Sequence, residues 1–420
     1  MKNRSGLSWS VWEVFRNALL IGIIFLLSGG VILIVSDVEG SVIAKMLWSG
    51  IYAIAALVTF QSSRAMFHSM RRTPGFILLA VLCLLSVLWT SHRGVTIPYA
   101  IAFFGSTLVA YLMATKVEPI PLLQMVAVAI LVLLSVNFVL MLPNVKANLS
   151  SGIRYEGIFP QPNMLGRVSG LGVILFLVLL FSGAFSRFWG CIGVVMGGLL
   201  ILSCESMTSG LALMFAFAVF FLRKWIARPV GTGHLAVVAW FVLCLGGLIW
   251  VYGAAIIEFL FGMLGRSTSM TGRTGLWTGV WDAILKKPVL GYGYSGFWSG
   301  ERILTKQLLD DAGWSTESAH NGLFDIALHL GFVGVFIFVV AIGRSLMTGL
   351  KHSFGTNSTL AVILLSVLCY LIILGATESA YMMRNSINWV LIVVCSIYLR
   401  RLHDGEFSDE GMVDEAGIEA

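Results

Sequence analysis

Long runs of apolar residues, separated by short polar segments, recur along the whole chain. A run of about 18 or more such residues is long enough to cross the hydrocarbon core of a bilayer as a helix. A membrane β-barrel would instead show short segments of alternating apolar and polar residues. The pattern therefore predicts an all-α, polytopic integral membrane protein with about 12 transmembrane helices. The predicted spans are 17–36, 42–60, 75–90, 95–114, 121–142, 164–182, 187–202, 206–222, 234–260, 321–343, 358–376 and 386–400.

Composition agrees with this pattern and limits the chemistry. Of the 420 residues, 58% are hydrophobic and 11% are charged, whereas a soluble domain is about 25% charged. We expect one membrane domain over residues 1–420 and a disordered acidic cytoplasmic tail over 404–420. The first run, 17–36, is too long for the core of a signal peptide and is expected to be a retained span. The six cysteines show neither CxxC nor metal-ligand spacing, so we expect them to be small buried hydrophobic side chains and not metal ligands. No cofactor is expected.

The distribution of lysine and arginine predicts the orientation. These residues concentrate in alternate short loops, and such loops stay in the cytoplasm, so both termini are expected there. The net charge of +6 then reflects orientation, and no nucleic-acid partner is expected. Two outer segments stand apart, a first periplasmic loop over 143–163 and a large one over 261–319. A loop as long as the second is usually functional.

The large loop contains a predicted amphipathic helix that begins near Arg273. Its apolar stripe consists of Leu276, Trp277, Val280, Trp281, Ile284 and Leu285. Tryptophans on such a helix favour a position flat at the membrane interface. A helix N-terminus attracts anions, and an arginine adds a forked donor suited to phosphate. Arg273 is therefore either a phosphate clamp or a tether to lipid headgroups. Tyr292, in the following "GYGYSGFW", either lines a lipid or sugar surface or belongs to an ordinary glycine-rich turn.

His320 ends the large loop and starts the next apolar run. A histidine can take a proton from a hydroxyl that is held within hydrogen-bond reach; the alternative is a helix cap at the interface. Asn321 follows as a candidate substrate-binding residue, and Ser318 or Ser315 is a candidate helix cap. Asp325 and His329 share one helix face and are expected to form a buried polar pair. His329 lies about 180° around the helix from His320, so a two-histidine metal site is not expected.

Three stretches together resemble one family. The first is "TGRTGLW", with an arginine ahead of a Leu-Trp pair, and the second is "HNGLFDIALHLG", a histidine followed by ten residues and a glycine. The third is "GIFPQPNMLG", residues 157–166, at the start of a central span. In their order along the chain, in which the third stretch comes first, and with the expected topology, they resemble the O-antigen ligase and polymerase family of bacterial envelopes. The branch of exopolysaccharide polymerases is the most similar.

This resemblance implies glycosyl transfer at the periplasmic face of the bacterial inner membrane. The donor would be a glycan on undecaprenyl diphosphate, attacked with inversion and without a metal or a nucleotide. The acceptor would be another lipid-linked glycan for a polymerase, or the lipid A core for a ligase. By the same resemblance, His320 is the general base and Arg273 binds the diphosphate. The implied partners are these glycans and membrane lipid, with a flippase and a chain-length regulator as further candidates.

One position departs from the family pattern. Family members commonly carry a lysine or arginine in a Ser-(Lys/Arg)-Thr element at the outer end of an earlier span, where this chain has Met207. Arg154 and Arg167 are candidate replacements for that diphosphate contact; the alternative is that they extend to lipid headgroups. Asn163, within the third stretch, joins them as a candidate substrate-binding residue.

Two other classes of protein remain as alternatives at this stage. A lipid or polysaccharide transporter would place ionisable residues near the middle of its spans. Here Lys45, Arg167, Glu258 and Asp325 lie towards predicted span ends, which favours chemistry at a membrane surface. A non-catalytic scaffold of an envelope assembly complex would require neither Arg273 nor His320.

Overall fold

The computed structural model describes residues 11–35, 41–142, 154–226, 273–300, 305, 306, 308, 318–355 and 358–407. The predicted span 234–260, most of the loop 143–163, much of the loop 261–319 and most of the tail 404–420 lie outside the described residues. Within the described ranges the regular structure is helical. The helices are α1 (Val11–Leu27), α2 (Val42–Gln61), α3 (Ser63–Arg72), α4 (Pro74–Leu85), α5 (Arg93–Lys116), α6 (Pro119–Met141), α7 (Pro162–Phe181), α8 (Arg187–Cys204), α9 (Met207–Ile226), α10 (Arg273–Lys286), α11 (Gly296–Gly300), α12 (Gly322–Leu350), α13 (Thr359–Thr377) and α14 (Ile387–His403).

The described helices make the chain a polytopic all-α membrane protein. Seven are long and apolar enough to cross a membrane, or eight if α3 and α4 form one bent span. The structure corrects the predicted first span, 17–36. Its helix, α1, ends at Leu27, and Gly29 then turns the chain with φ 106°. Most other boundaries agree with the predicted spans to within a few residues.

The core of the bundle forms around α7, which packs against α6, α8, α9 and α13. Small residues on α7 allow these close approaches. A Cβ at Gly166 would lie 2.4 Å from the Cβ of Ser206, and one at Gly170 would lie 2.3 Å from the Tyr370 hydroxyl. α7 is therefore held rigidly at the centre, and its N-terminal turns carry Asn163 and Arg167.

Helix α12 is broken at Gly331, which has φ 64° and ψ −166°. This backbone region is essentially restricted to glycine. The segment 288–293 docks at the break through four backbone hydrogen bonds. Tyr292 and Gly293 donate to the carbonyls of Leu328 and His329, and Phe332 and Val333 donate to those of Pro288 and Val289. Because these groups satisfy one another, irregular backbone is tolerated within a membrane span.

Candidate active site

His320 is held in an uncommon conformation directly before α12. Its φ of 47° lies in the left-handed region, which few non-glycine residues adopt and which is frequent at functional sites. Both backbone polar groups of the preceding residue, Ala319, are hydrogen-bonded. Its N–H donates to Asp325 Oδ1 (3.1 Å), and its carbonyl accepts from Trp277 Nε1 (2.8 Å). On the other side, Asn321 caps α12 by accepting from the N–H groups of residues 323 and 324. The helix cap is thus Asn321, which corrects the expectation of Ser318 or Ser315.

The imidazole of His320 pairs with a carboxylate. Its Nδ1 lies 3.0 Å from Glu378 Oε2. Both side chains are largely buried, with exposed fractions of 11% and 5%. A carboxylate beside one ring nitrogen favours the tautomer that carries its proton there, which leaves Nε2 as a proton acceptor. The pair therefore has the arrangement of an oriented general base.

The carboxylate continues the hydrogen-bond network to α7. Asn163 Nδ2 donates to Glu378 Oε1 (3.1 Å), and Asn163 Oδ1 accepts from Arg154 Nη2 (2.5 Å). Arg154 also donates to the carbonyls of Cys204 (2.9 Å) and Glu205 (3.3 Å). The chain of contacts Arg154–Asn163–Glu378–His320 brings together three residues that the sequence analysis singled out.

Arg167 lies one helical turn beyond Asn163 on α7. Its Nη1 contacts Met383 Sδ at 3.6 Å, and its backbone carbonyl accepts from the Tyr370 hydroxyl (2.9 Å). With the described residues its guanidinium forms no ion pair at hydrogen-bond distance, although the charge of Glu378 acts on it. Most of its donors therefore have no hydrogen-bond partner among the described residues, whereas those of Arg154 bind carbonyls and Asn163.

Asp325 connects the segments on either side of the His320–Glu378 pair. Its Oδ1 accepts from Ala319 N–H and from Trp298 Nε1 (2.8 Å), and its Oδ2 accepts from the Ser379 hydroxyl. Residue 319 precedes His320 and residue 379 follows Glu378, so one carboxylate holds both neighbours. This corrects the expected pairing of Asp325 with His329, whose ring instead lies against the ring of Tyr294.

Helix α10 packs its apolar face on α12 beside this site. Leu276, Val280 and Ile284 are fully buried, and Trp277, in the second turn of α10, contacts Ala319, the residue before His320. The side chain of Arg273 lies outside the described residues, so the phosphate clamp stays a prediction. Tyr292 is buried and donates to the carbonyl of Ala283 (2.8 Å). This hydrogen bond gives Tyr292 a structural role, and its contact with the substrate stays a prediction.

Glu378 is the functional candidate that the sequence analysis missed. It lies 58 residues from His320 along the chain, at the C-cap of α13. A signal was present, because Glu378 is the one acidic residue between Asp325 and Asp404 and it follows an apolar run. An isolated carboxylate at the end of a span is costly unless it has a partner.

Comparison with known protein families finds a match to part of the chain. Residues 191–339 match the family described as O-Antigen ligase. The matched segment contains α10, His320 and the break in α12, while Arg154, Asn163, Arg167 and Glu378 lie outside it. The match confirms the resemblance to the O-antigen ligase and polymerase family.

A curated protein supports the same family. The chain is 22% identical over 208 residues to "Exopolysaccharide production protein ExoQ" from Rhizobium meliloti (strain 1021). The alignment covers 47% of this chain and 47% of that protein.

Proposed function

We propose that this protein transfers a glycan from undecaprenyl diphosphate to a sugar hydroxyl at the periplasmic face of the bacterial inner membrane, with both termini in the cytoplasm. The buried His320–Glu378 pair is the observation that carries the proposal. The similarity to an O-antigen ligase family and to an exopolysaccharide production protein supports the class of substrate. Of the two alternatives we propose a polymerase, because the motifs are most similar to those of the exopolysaccharide polymerases.

The proposed reaction is a single displacement at the anomeric carbon of the donor sugar. The acceptor hydroxyl oxygen forms the new bond to that carbon while its proton passes to His320 Nε2. The bond between the carbon and the diphosphate oxygen breaks, and the electron pair leaves with undecaprenyl diphosphate. Attack opposite the leaving group inverts the anomeric centre. Glu378 stabilises the imidazolium that forms.

Arg167 is the proposed contact for the leaving diphosphate, with Arg273 as a second cation. Negative charge grows on the diphosphate as the bond breaks, and positioned cationic donors lower the energy of that state. The available donors of Arg167, one turn from Asn163, support this part. Arg154 instead positions Asn163, because its donors already bind carbonyls and the Asn163 amide.

The proposal is tested in proteoliposomes that contain the full chain and the lipid-linked repeat of the source organism. A polymerase elongates the glycan with this substrate alone and releases undecaprenyl diphosphate. A ligase forms product only after lipid A core is added. Movement of the glycan into the vesicle with unchanged length, and without release of the diphosphate, would contradict the proposal and support a transporter.

A further inference from the structure

A groove lies at the end of the bundle opposite the active site. Its volume is about 230 Å³, and it is bounded by the bend between α3 and α4, by α12 and by α14. Arg344, on its rim, is 13 residues beyond the break at Gly331 along α12, which corresponds to roughly 20 Å of continuous helix at 1.5 Å per residue. The groove is therefore separate from the His320–Glu378 pair.

One side of the groove is apolar and faces the membrane. It is lined by Leu78 of α4 and by Phe336, Ile337 and Val340 of α12. Leu78 and Phe336 are 52% and 70% exposed, on helices that belong to the membrane-spanning part of the bundle. An acyl chain is the ordinary neighbour of such a surface.

The other side carries positive charge. Arg72, Arg344 and Arg400 line it. Asp404 is shared between Arg72 (3.0 Å) and Arg400 (3.4 Å), and Glu406 also pairs with Arg72. Arg400 Nε is buried without a hydrogen-bond partner, and Arg344 forms no ion pair with the described residues. Arg344 therefore supplies charge that no described carboxylate compensates, and Arg400 supplies an unused donor; both suit a phosphate group.

Helix α3 places this rim at the level of the lipid headgroups. It is bent by 100° from α4, so it runs along the membrane surface when α4 crosses the membrane. The two faces of α3 differ in exposure: Met66 is buried, whereas the polar side chains of Arg64 and Arg71 lie at the surface. A short helix of this kind lies in the interface.

We propose that the groove binds an anionic phospholipid, with its phosphate on Arg344 and Arg400 and one acyl chain along Phe336 and Val340. Basic pockets between membrane helices bind anionic headgroups. The apolar side favours a lipid over a free phosphate, which would leave Phe336 and Val340 without a ligand contact. This inference does not depend on the proposed reaction.

Native mass spectrometry of the purified full chain tests the proposal, with dioleoyl phosphatidylglycerol and dioleoyl phosphatidylcholine as probes. The protein is expected to retain phosphatidylglycerol preferentially. Arg344→Gln is expected to weaken that retention several-fold, and Arg344→Gln with Arg400→Gln about tenfold or more. The matched control is Arg187→Gln, an exposed arginine on α8 outside the residues that line the groove, which should leave retention unchanged.

A second pair of variants tests the apolar side independently. Val340→Trp fills the groove and should reduce retention, whereas Val339→Trp, on a neighbouring exposed position of α12, should not. Equal retention of the two lipids, or unchanged retention in the double arginine variant, would overturn the proposal. So would full displacement of the lipid by an equal concentration of glycerol phosphate, or occupation by a second copy of the chain in place of lipid.

Discussion

At the scale of single residues, the site depends on a strained histidine whose neighbours are all fixed. His320 has φ 47°, and such a conformation persists only where surrounding contacts over-determine it. Here Trp277 and Asp325 form hydrogen bonds with the backbone of the preceding residue. Asn321 caps the following helix, and Glu378 orients the imidazole ring. Each of these contacts has a separate consequence for activity.

Glu378 is expected to act on the rate of transfer. Glu378→Gln keeps the size of the side chain but removes the charge that favours the Nδ1 proton of His320. Loss of the carboxylate that orients a histidine costs from about 10-fold, as in metal sites, to about 10⁴-fold, as in a Ser-His-Asp triad. We expect kcat to fall by this amount with KM changed little, measured as glycan transfer in proteoliposomes. A fall in membrane level with normal kcat would instead mean that Glu378 serves the fold.

Asp325 is expected to affect activity indirectly, by holding the residues next to His320 and Glu378 in place. In Asp325→Asn the amide oxygen can still accept from Trp298 and Ala319 while the amide nitrogen donates to Ser379. In Asp325→Leu all three donors lose their acceptor, at about 1–3 kcal/mol for each buried group. We expect Asn to keep activity within about tenfold of the parent and Leu to lose both thermal stability and kcat. Equal activity of the two variants would contradict this role.

At the scale of elements, the break in α12 connects the loop to the membrane bundle. A Cβ at Gly331 would lie 2.1 Å from the Val289 carbonyl oxygen. The glycine is therefore required both by its backbone conformation and by the docked segment 288–293. The sequence pattern predicted the helix and singled out His320 and Gly331, but it could not show that the helix breaks, because the break depends on contacts with a segment some forty residues away.

Substitution of Gly331 tests this arrangement. Gly331→Ala should destabilise the protein by about 3 kcal/mol or more, since strain in this region alone costs about 1–3 kcal/mol and the clash with backbone adds to it. Gly343→Ala is the matched control on the same helix, because nothing lies within 4 Å of its Cβ. It should be neutral or stabilising by about 0.5–1 kcal/mol. Thermal melts in detergent measure the stability of both variants. Equal melting temperatures of the two variants would contradict the need for glycine at position 331.

At the scale of the whole molecule, apolar runs were sufficient to predict a helical membrane protein. They located α2, α5, α6, α7, α8 and α13 to within a few residues of their observed bounds. They could not reveal that Arg154, Asn163 and His320 join through Glu378, since that network depends on how α7, α13 and the start of α12 pack together. The sequence therefore identified the candidate residues one by one, and only the fold shows that they lie together.

The orientation of the bundle also gives a prediction. Glu156 lies at the end that carries His320, and Arg187 lies at the opposite end of α8; both are exposed. With Cys191 replaced by serine, a membrane-impermeant maleimide should label Glu156→Cys in cells with a permeable outer membrane. It should label Arg187→Cys only after the inner membrane is opened. Labelling in the reverse order would place the active site in the cytoplasm.

The most direct measurement is the rate of glycan transfer by His320→Ala in proteoliposomes with the lipid-linked repeat. Loss of a general base typically costs about 10²–10⁴-fold, and we expect a fall of this size at an unchanged amount of folded protein. His68→Ala, an exposed histidine on α3, should transfer glycan at the parental rate. Transfer by His320→Ala at the rate of His68→Ala would contradict the assignment of His320 as the base.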